Sequence, residues 1–210
     1  LRGVGYFGFA LSCLTAEYVS NESHNLSGAE MNLGELEKQS KKLSLDRSEP
    51  PLHLWQPSLS GDIDIVIKAN GDWYHEGTLF QRQSLVNLFA SILRKEEDGE
   101  YYLVTPVEKW RIRVEGKPLL VVDVDFVGLS QEEQKIIATT NTGKRIELGD
   151  DHPLVVAIDK NSGAIDPYVL LDNGLTAKIS RSVFYRIAEQ AVEEGGHFRV
   201  LSGGVWFEVG

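Results

Sequence analysis

The chain has 210 residues, 42% hydrophobic and 25% charged, with a formal net charge of −10. Such a chain buries a real core, as one compact domain or two modest ones, and its acidity argues against a surface built to grip phosphate backbones. The single cysteine, Cys13, excludes an intramolecular disulfide framework and a cysteine-based zinc knuckle. No apolar run reaches the roughly 18 residues of a membrane-spanning helix.

Leu1–Ala16 is apolar but broken by Gly3, Gly5 and Gly8, which fits a secretory signal poorly. Residues 1–30 read as an N-terminal extension upstream of a start at Met31. Should they belong to the folded protein, Tyr6, Phe7 and Phe9 call for a strand or an oligomer arm rather than an exposed tail. Residues 31–60 are expected to form a helix over Asn32–Leu43 and then an extended arm, LHLWQP, anchored by Leu52, Leu54 and Trp55.

A first module is expected over residues 61–117. Asp62 and Asp64 alternate with Ile63, Ile65 and Ile67, the pattern of a half-buried strand. Asn70-Gly71 is a hairpin signal, with Trp73, Tyr74 and His75 on the return strand. A helix starting at Gln83 or Ser84 carries Leu85, Leu88, Phe89, Ile92 and Leu93 on one side, with Arg94–Glu97 toward solvent, and ends at Asp98-Gly99. Tyr101–Thr105 and Trp110–Val114 follow as strands.

A second module is expected over residues 118–210. In Leu119–Phe126, Asp123 and Asp125 face one side while Val122, Val124 and Phe126 face the other. Lys135–Thr140 with Arg145–Leu148, and Leu154–Ile158 with Ile165–Leu170, are expected hairpins, the second turning at Asn161, Ser162 and Gly163. A strand ending at Ile179 leads to a helix from about Ser180 bearing Phe184, Ile187, Ala188, Ala191 and Val192, closed by Gly195-Gly196. His197–Leu201 and Val205–Val209 end the chain. The order strand, turn, strand, helix, double strand thus occurs twice, with Trp110 and Trp206 in comparable places. The fold class is α+β: two similar small modules of largely antiparallel sheet, each packed with a helix, with internal duplication.

Among polar residues, Arg82 stands before the first helix, where free backbone donors favour an anion, and Lys109 is the second anion-binding candidate. A salt bridge to Glu76 or Glu108 is the alternative use of Arg82. The pairs Asp62/Asp64 and Asp123/Asp125 have the spacing for a cation or for divided acid and base work, but solvated strand faces explain such pairs too. His75 has Glu76 as an orienting neighbour; with His152 and His197 it forms no zinc motif. Trp73, Tyr74, Tyr101 and Tyr102 read as core packing, with ring stacking as the alternative. No GxSxG elbow, GxGxxG or Walker box is present.

The runs GDIDIVIKANGDWYHEG and LVNLFASILRKEEDGEYYLVTPVEKWRIRVEG resemble the bacterial family of unknown function DUF1285, with the likeness covering roughly residues 51–210. The resemblance implies a two-module α+β protein with repeated motifs and a role in signal transduction, and it attaches no catalytic residue. It touches Asp62, Asp64, Trp73, Arg82, Glu108 and Lys109, while Asn70 and LLVVDVDF depart from the family pattern. The leading expectation is a noncatalytic, cytoplasmic binding or regulatory module without cofactor or metal. It would take a small anionic ligand or a partner protein, and neither nucleic acid nor membrane, through Arg82, Lys109, His75, Trp73, Tyr102 and Glu108 in a cleft between the modules. The alternatives are a metal-assisted hydrolase or phosphoryl-handling enzyme using His75 with Asp62, Asp64 or Glu76, and a structural homodimer.

Overall fold

A computed structural model describes residues 50–128, 130, 133–158 and 163–210. The helix expected at Asn32–Leu43, the extension at residues 1–30 with Cys13, and Asn161 and Ser162 of one expected turn lie outside the described residues.

Strands β1 (Leu59–Ile67), β2 (Trp73–His75) and β3 (Thr78–Leu79) make one antiparallel meander, and β4 (Leu93–Lys95), β5 (Tyr101–Val104) and β6 (Lys109–Val114) make a second. Their long strands β1 and β6 pair in parallel, giving one sheet of order β3-β2-β1-β6-β5-β4. Alternation dictates β1: Ile65 and Ile67 are buried while Asp62 and Asp64 are exposed. Parallel neighbours need a long crossover, and helix α1 (Gln83–Ser91) lies within it. Val86 and Phe89 turn its apolar side onto the inner sheet face, where Phe89 stacks on Trp73 with ring centroids 6.4 Å apart. Burying each large side chain contributes on the order of 2–3 kcal/mol.

The second module repeats the sheet. β7 (Leu119–Val127), β8 (Lys135–Thr140) and β9 (Arg145–Glu147) form one meander, and β10 (Leu154–Ile158), β11 (Ile165–Leu170) and β12 (Thr176–Ile179) form another. The first strand of one and the last strand of the other, β7 and β12, again pair in parallel. Read from the far strand of the first meander, both sheets have the order three, two, one, six, five, four. The helices occupy different places in this repeat. α1 separates the two meanders of its module, whereas α2 (Arg181–Ala188) follows both and packs Val183, Phe184 and Ile187 on the inner face of its sheet. A third sheet, β13 (Val192–Glu194), β14 (His197–Ser202) and β15 (Val205–Glu208), completes that core with Val200 and Phe207. Buried Ser202 ties it down by donating to Leu148 O at 2.6 Å and accepting from Ile136 N at 2.8 Å.

The modules meet through Leu171, which packs on both cores, and through Leu175, which enters the first. At the seam, Gly71 in the β1–β2 turn has φ +85°, and a Cβ there would lie 2.9 Å from both Asn141 Nδ2 and Leu120 Cδ1. Asn141 accepts from Leu120 N at 3.1 Å, and its carbonyl accepts from Gln83 Nε2 at 3.2 Å.

Several expectations are corrected. α1 stops at Ser91 because Ile92 leaves the helical region and Leu93–Lys95 pairs with Tyr101–Leu103 across the Asp98-Gly99 turn; strand pairing overrides a helical pattern that it shares at Leu93. Arg94, expected toward solvent, is consequently 8% exposed, and Leu88, expected inside, is exposed. α2 likewise ends at Ala188, leaving Val192 to start β13, while Gly195-Gly196 is a hairpin turn. In β7 a bulge between Val121 and Asp123 shifts the phase, so Val121 and Val124 are buried while Val122 and Phe126 are exposed. Leu54 is no anchor: residues Leu52–Leu54 form a 3-10 turn that buries Leu52 and exposes Leu54. Trp110 and Trp206 are not equivalent, since Trp110 belongs to the repeated sheet and Trp206 to the third one.

Candidate functional site on the outer face of the first sheet

Strand register sorts the residues of the first sheet onto two faces. On the helix side are Ile65, Ile67, Trp73, Leu103 and Ile112. On the other side a row crosses four strands, Asp62 opposite Arg111, Arg111 opposite Tyr102 and Tyr102 opposite Arg94. Period two adds Asp64, Lys109 and Arg113 to this outer face.

One end of the outer face is covered. Tyr102 and Val104 point away from the helix yet are 4% and 0% exposed, at the end of the sheet where the arm before β1, residues 50–56, meets Arg94. Arg94 pins that arm by donating to Leu52 O and Trp55 O, each at 2.9 Å, and to Glu96 Oε1 at 2.5 Å, while its Nε is buried without a partner. Lys109 donates to the other oxygen of Glu96 at 2.8 Å and lies over the Tyr102 ring, 4.8 Å from its centroid. Burial pushes the Glu96 carboxyl up, but hydrogen bonds and charge from Lys109 and Arg94 outweigh it and hold the group below its ordinary value. Tyr102 donates to Asp98 Oδ2 at 2.7 Å; that bond, then burial, pushes the phenol up to about 12, and the same bond, with one from Glu100 N, lowers the Asp98 carboxyl.

The other end is open. Arg111 forks onto Asp62 with bonds of 2.9 and 2.7 Å, and Arg113 reaches Asp64 at 2.5 Å. The Arg111 bond lowers the Asp62 carboxyl. Between the rungs is a depression of about 350 Å³ lined by both aspartates, Glu100 and both arginines, with Ile63 and Ile112 behind. An alternating Lys-x-Arg-x-Arg on one strand face, its two arginines aligned by aspartates of the neighbouring β1 and its lysine by Glu96 beyond β4, is equipped to hold an anion.

Of the residues singled out from sequence, Lys109 and Tyr102 are brought together here, with Asp62 and Asp64 alongside. Trp73 and His75 lie on the opposite face, Trp73 buried with an unpartnered Nε1 and His75 stacked on Phe80 at 6.3 Å. Arg82 caps α1 with extended backbone, its side chain exposed and making no cap bond. Glu108 accepts from Trp110 Nε1 at 3.2 Å, and Glu76 occupies the β2–β3 turn at φ 48°. Asp123 and Asp125 are ion-paired with Arg186 and Arg145. Arg94, Arg111 and Arg113 were not anticipated; the period-two spacing of basic residues in KWRIRV was the available signal. Among the described residues, no group of three or more His, Cys, Asp or Glu is placed to hold a metal ion, and no helix is long and apolar enough to cross a membrane.

The fold and this face define a duplicated two-module α+β protein whose polar chemistry sits on open sheet. The chain belongs to the DUF1285 family: the model "Domain of unknown function (DUF1285), N-terminal domain" matches residues 50–117, and "Protein of unknown function (DUF1285), C-terminal domain" matches residues 118–209. It is similar to the crystal structure of a DUF1285 family protein from Silicibacter pomeroyi DSS-3, with 40% identity over 78% of this chain and 88% of that one and a TM-score of 0.71. A DUF1285 family protein from Shewanella baltica OS155 is 32% identical over 60% of this chain and 90% of that one, with a TM-score of 0.46. No curated protein matches the chain.

Proposed function

We propose that this protein is a noncatalytic, regulatory binding module that takes a small anion bearing phosphate or carboxylate groups on the outer face of its first sheet. The observation that carries the reading is the alternation of Lys109, Arg111 and Arg113 on one strand face, with both arginines lining a depression beside Asp62, Asp64 and Glu100, in a chain of net charge −10. Exposed ion pairs contribute little to stability, so an incoming anion can take the arginines from Asp62 and Asp64 at small cost. Binding is favoured over general-acid catalysis by these carboxyls because Asp62, Glu96 and Asp98 are all held below their ordinary values, the opposite of what a general acid at neutral pH needs. The hydrolase alternative asks His75 to work with Asp62 or Asp64 through the thickness of the sheet, or with Glu76 in the adjoining β2–β3 turn. A role in signal transduction and a cytoplasmic setting are part of the same proposal, the latter supported by the single cysteine in 210 residues.

Isothermal titration with inorganic pyrophosphate tests the reading. Wild type is expected to bind, and Arg111→Gln/Arg113→Gln to bind at least tenfold more weakly with an unchanged melting temperature. Equal affinity in both proteins would remove the site from this face. A second reading, association with a protein or a second copy, draws on exposed Leu59 and Val107 beside Lys109. Sedimentation of wild type against Leu59→Ser/Val107→Ser tests it: a dimer lost in the variant supports it, and a monomer in both excludes self-association.

A further inference from the structure

We infer that the second sheet carries a second anion site on its own outer face, built on Tyr168, Lys178 and Lys117. The inference rests on the reading of the first face as an anion site and on the duplication of the sheet. Each strand of the second sheet has a counterpart in the first, and the registers agree. Tyr102 on β5 stands opposite Arg111 on β6; Tyr168 on β11, the counterpart of β5, stands opposite Lys178 on β12, the counterpart of β6. Tyrosine beside a cation is thus kept at the same crossing point of both sheets.

The surroundings repeat as well. Lys109 Nζ lies 4.8 Å from the Tyr102 ring centroid, and Lys117 Nζ lies 4.5 Å from that of Tyr168. Each lysine is bonded to a carboxylate that a second cation also approaches: Glu96 with Lys109 and Arg94, Asp166 with Lys117 and Lys178. Two cations on one carboxylate leave one positive charge in excess beside Tyr168, whereas beside Tyr102 the carboxylate of Asp98 offsets it. In the second module that excess is available. Lys178 is only 3.7 Å from Asp166 and its side chain is half exposed, whereas Arg94 is locked beneath the arm. A phosphate or carboxylate group would bridge Lys178 and Lys117 over the edge of the Tyr168 ring in place of Asp166. Lys117 is held at the site already, so ordering one lysine is the main conformational cost. Leu120 stands opposite Lys178 where Asp62 stands opposite Arg111, so the aspartate that an anion displaces here is Asp166 of β11 and not a residue of the parallel neighbour.

Calorimetric titration of the full chain with inorganic pyrophosphate decides the matter by stoichiometry. Two sites per chain are expected, with Lys178→Gln abolishing one and Arg111→Gln/Arg113→Gln weakening the other at least tenfold. The backbone amide shifts of Tyr168 and Lys178 in the wild-type chain give the same answer without a variant. A single site that disappears with the arginines and ignores Lys178→Gln, with no shift at Tyr168 or Lys178, would overturn the second site and leave the first standing. Absence of binding to wild type would overturn both.

Discussion

Replacing Arg94 by Met separates the cost of a buried cation from the worth of what it holds. The wild-type side chain is 8% exposed and donates to Leu52 O and Trp55 O, both at 2.9 Å, as well as to Glu96. Hydrogen bonds from a charged donor contribute about 1.5–3 kcal/mol each, so losing the two carbonyl contacts costs roughly 3–6 kcal/mol. Against this, the buried and unpartnered Nε is itself a penalty of about 1–3 kcal/mol that methionine removes. Glu96 keeps Lys109 and is not left as an isolated charge. Taken at the middle of each range, the balance predicts a loss of about 2–3 kcal/mol, or on the order of 4–12 °C in melting temperature for a chain of this size. Urea denaturation followed by circular dichroism measures it, and hydrogen exchange should show residues 52–56 losing protection. Arg94→Lys, unable to fork onto both carbonyls, should fall between. An Arg94→Met protein as stable as wild type, with the arm still protected, would refute the assignment of Arg94 as the pin.

Other consequences are testable by ordinary means. Gly71→Ala should destabilise by about 1–3 kcal/mol because its Cβ would meet Asn141 and Leu120 at 2.9 Å on top of a φ of +85°. Gly77→Ala, with φ +77° and nothing within 4 Å, should cost only the backbone strain of about 1 kcal/mol; equal losses in thermal melts would mean the seam is not tight. Spectrophotometric titration should find one phenol near 12 that vanishes in Tyr102→Phe. Because the folded value is raised, this group's contribution is complete below pH 10 and is lost as pH climbs toward 12. The lowered Glu96 carboxyl, shielded between Arg94 and Lys109, acts in the opposite direction: its contribution is complete above the ordinary carboxylate range and is lost as pH falls through and below about 4. Urea denaturation of wild type against Glu96→Gln should show a stability difference that shrinks below about pH 4, and a difference independent of pH would contradict the Glu96 ion pairs.

Alternation was the most legible signal. It placed β1 with its aspartates outward, and the Asn70-Gly71 turn signal and the paired runs Lys135–Thr140 and Arg145–Leu148 marked hairpins that form. Helix ends were not legible, because Ile92, Leu93 and Val192 suit a helical stripe and a strand equally, and only pairing with Tyr101–Leu103 or Arg199 decides between them. The duplication was visible as two similar modules, but its true unit is two meanders joined by a parallel pair, a long-range contact that no local pattern encodes. The site was half visible. Lys109 and Tyr102 stood out, whereas Trp73 and His75 drew attention by residue type while parity on β2 sends both to the helix side. The buried role of Arg94 was hidden because Leu52–Trp55, which cover it, are some 40 residues earlier in the chain.

The measurement closest to the central claim is a nitrogen-15 correlation spectrum of the assigned protein titrated with inorganic pyrophosphate. The account predicts saturable shifts led by Lys109, Arg111 and Arg113, with their neighbours Asp62 and Asp64 following. A spectrum that does not move, or one whose shifts centre on Arg82 and His75 across the sheet, would contradict it.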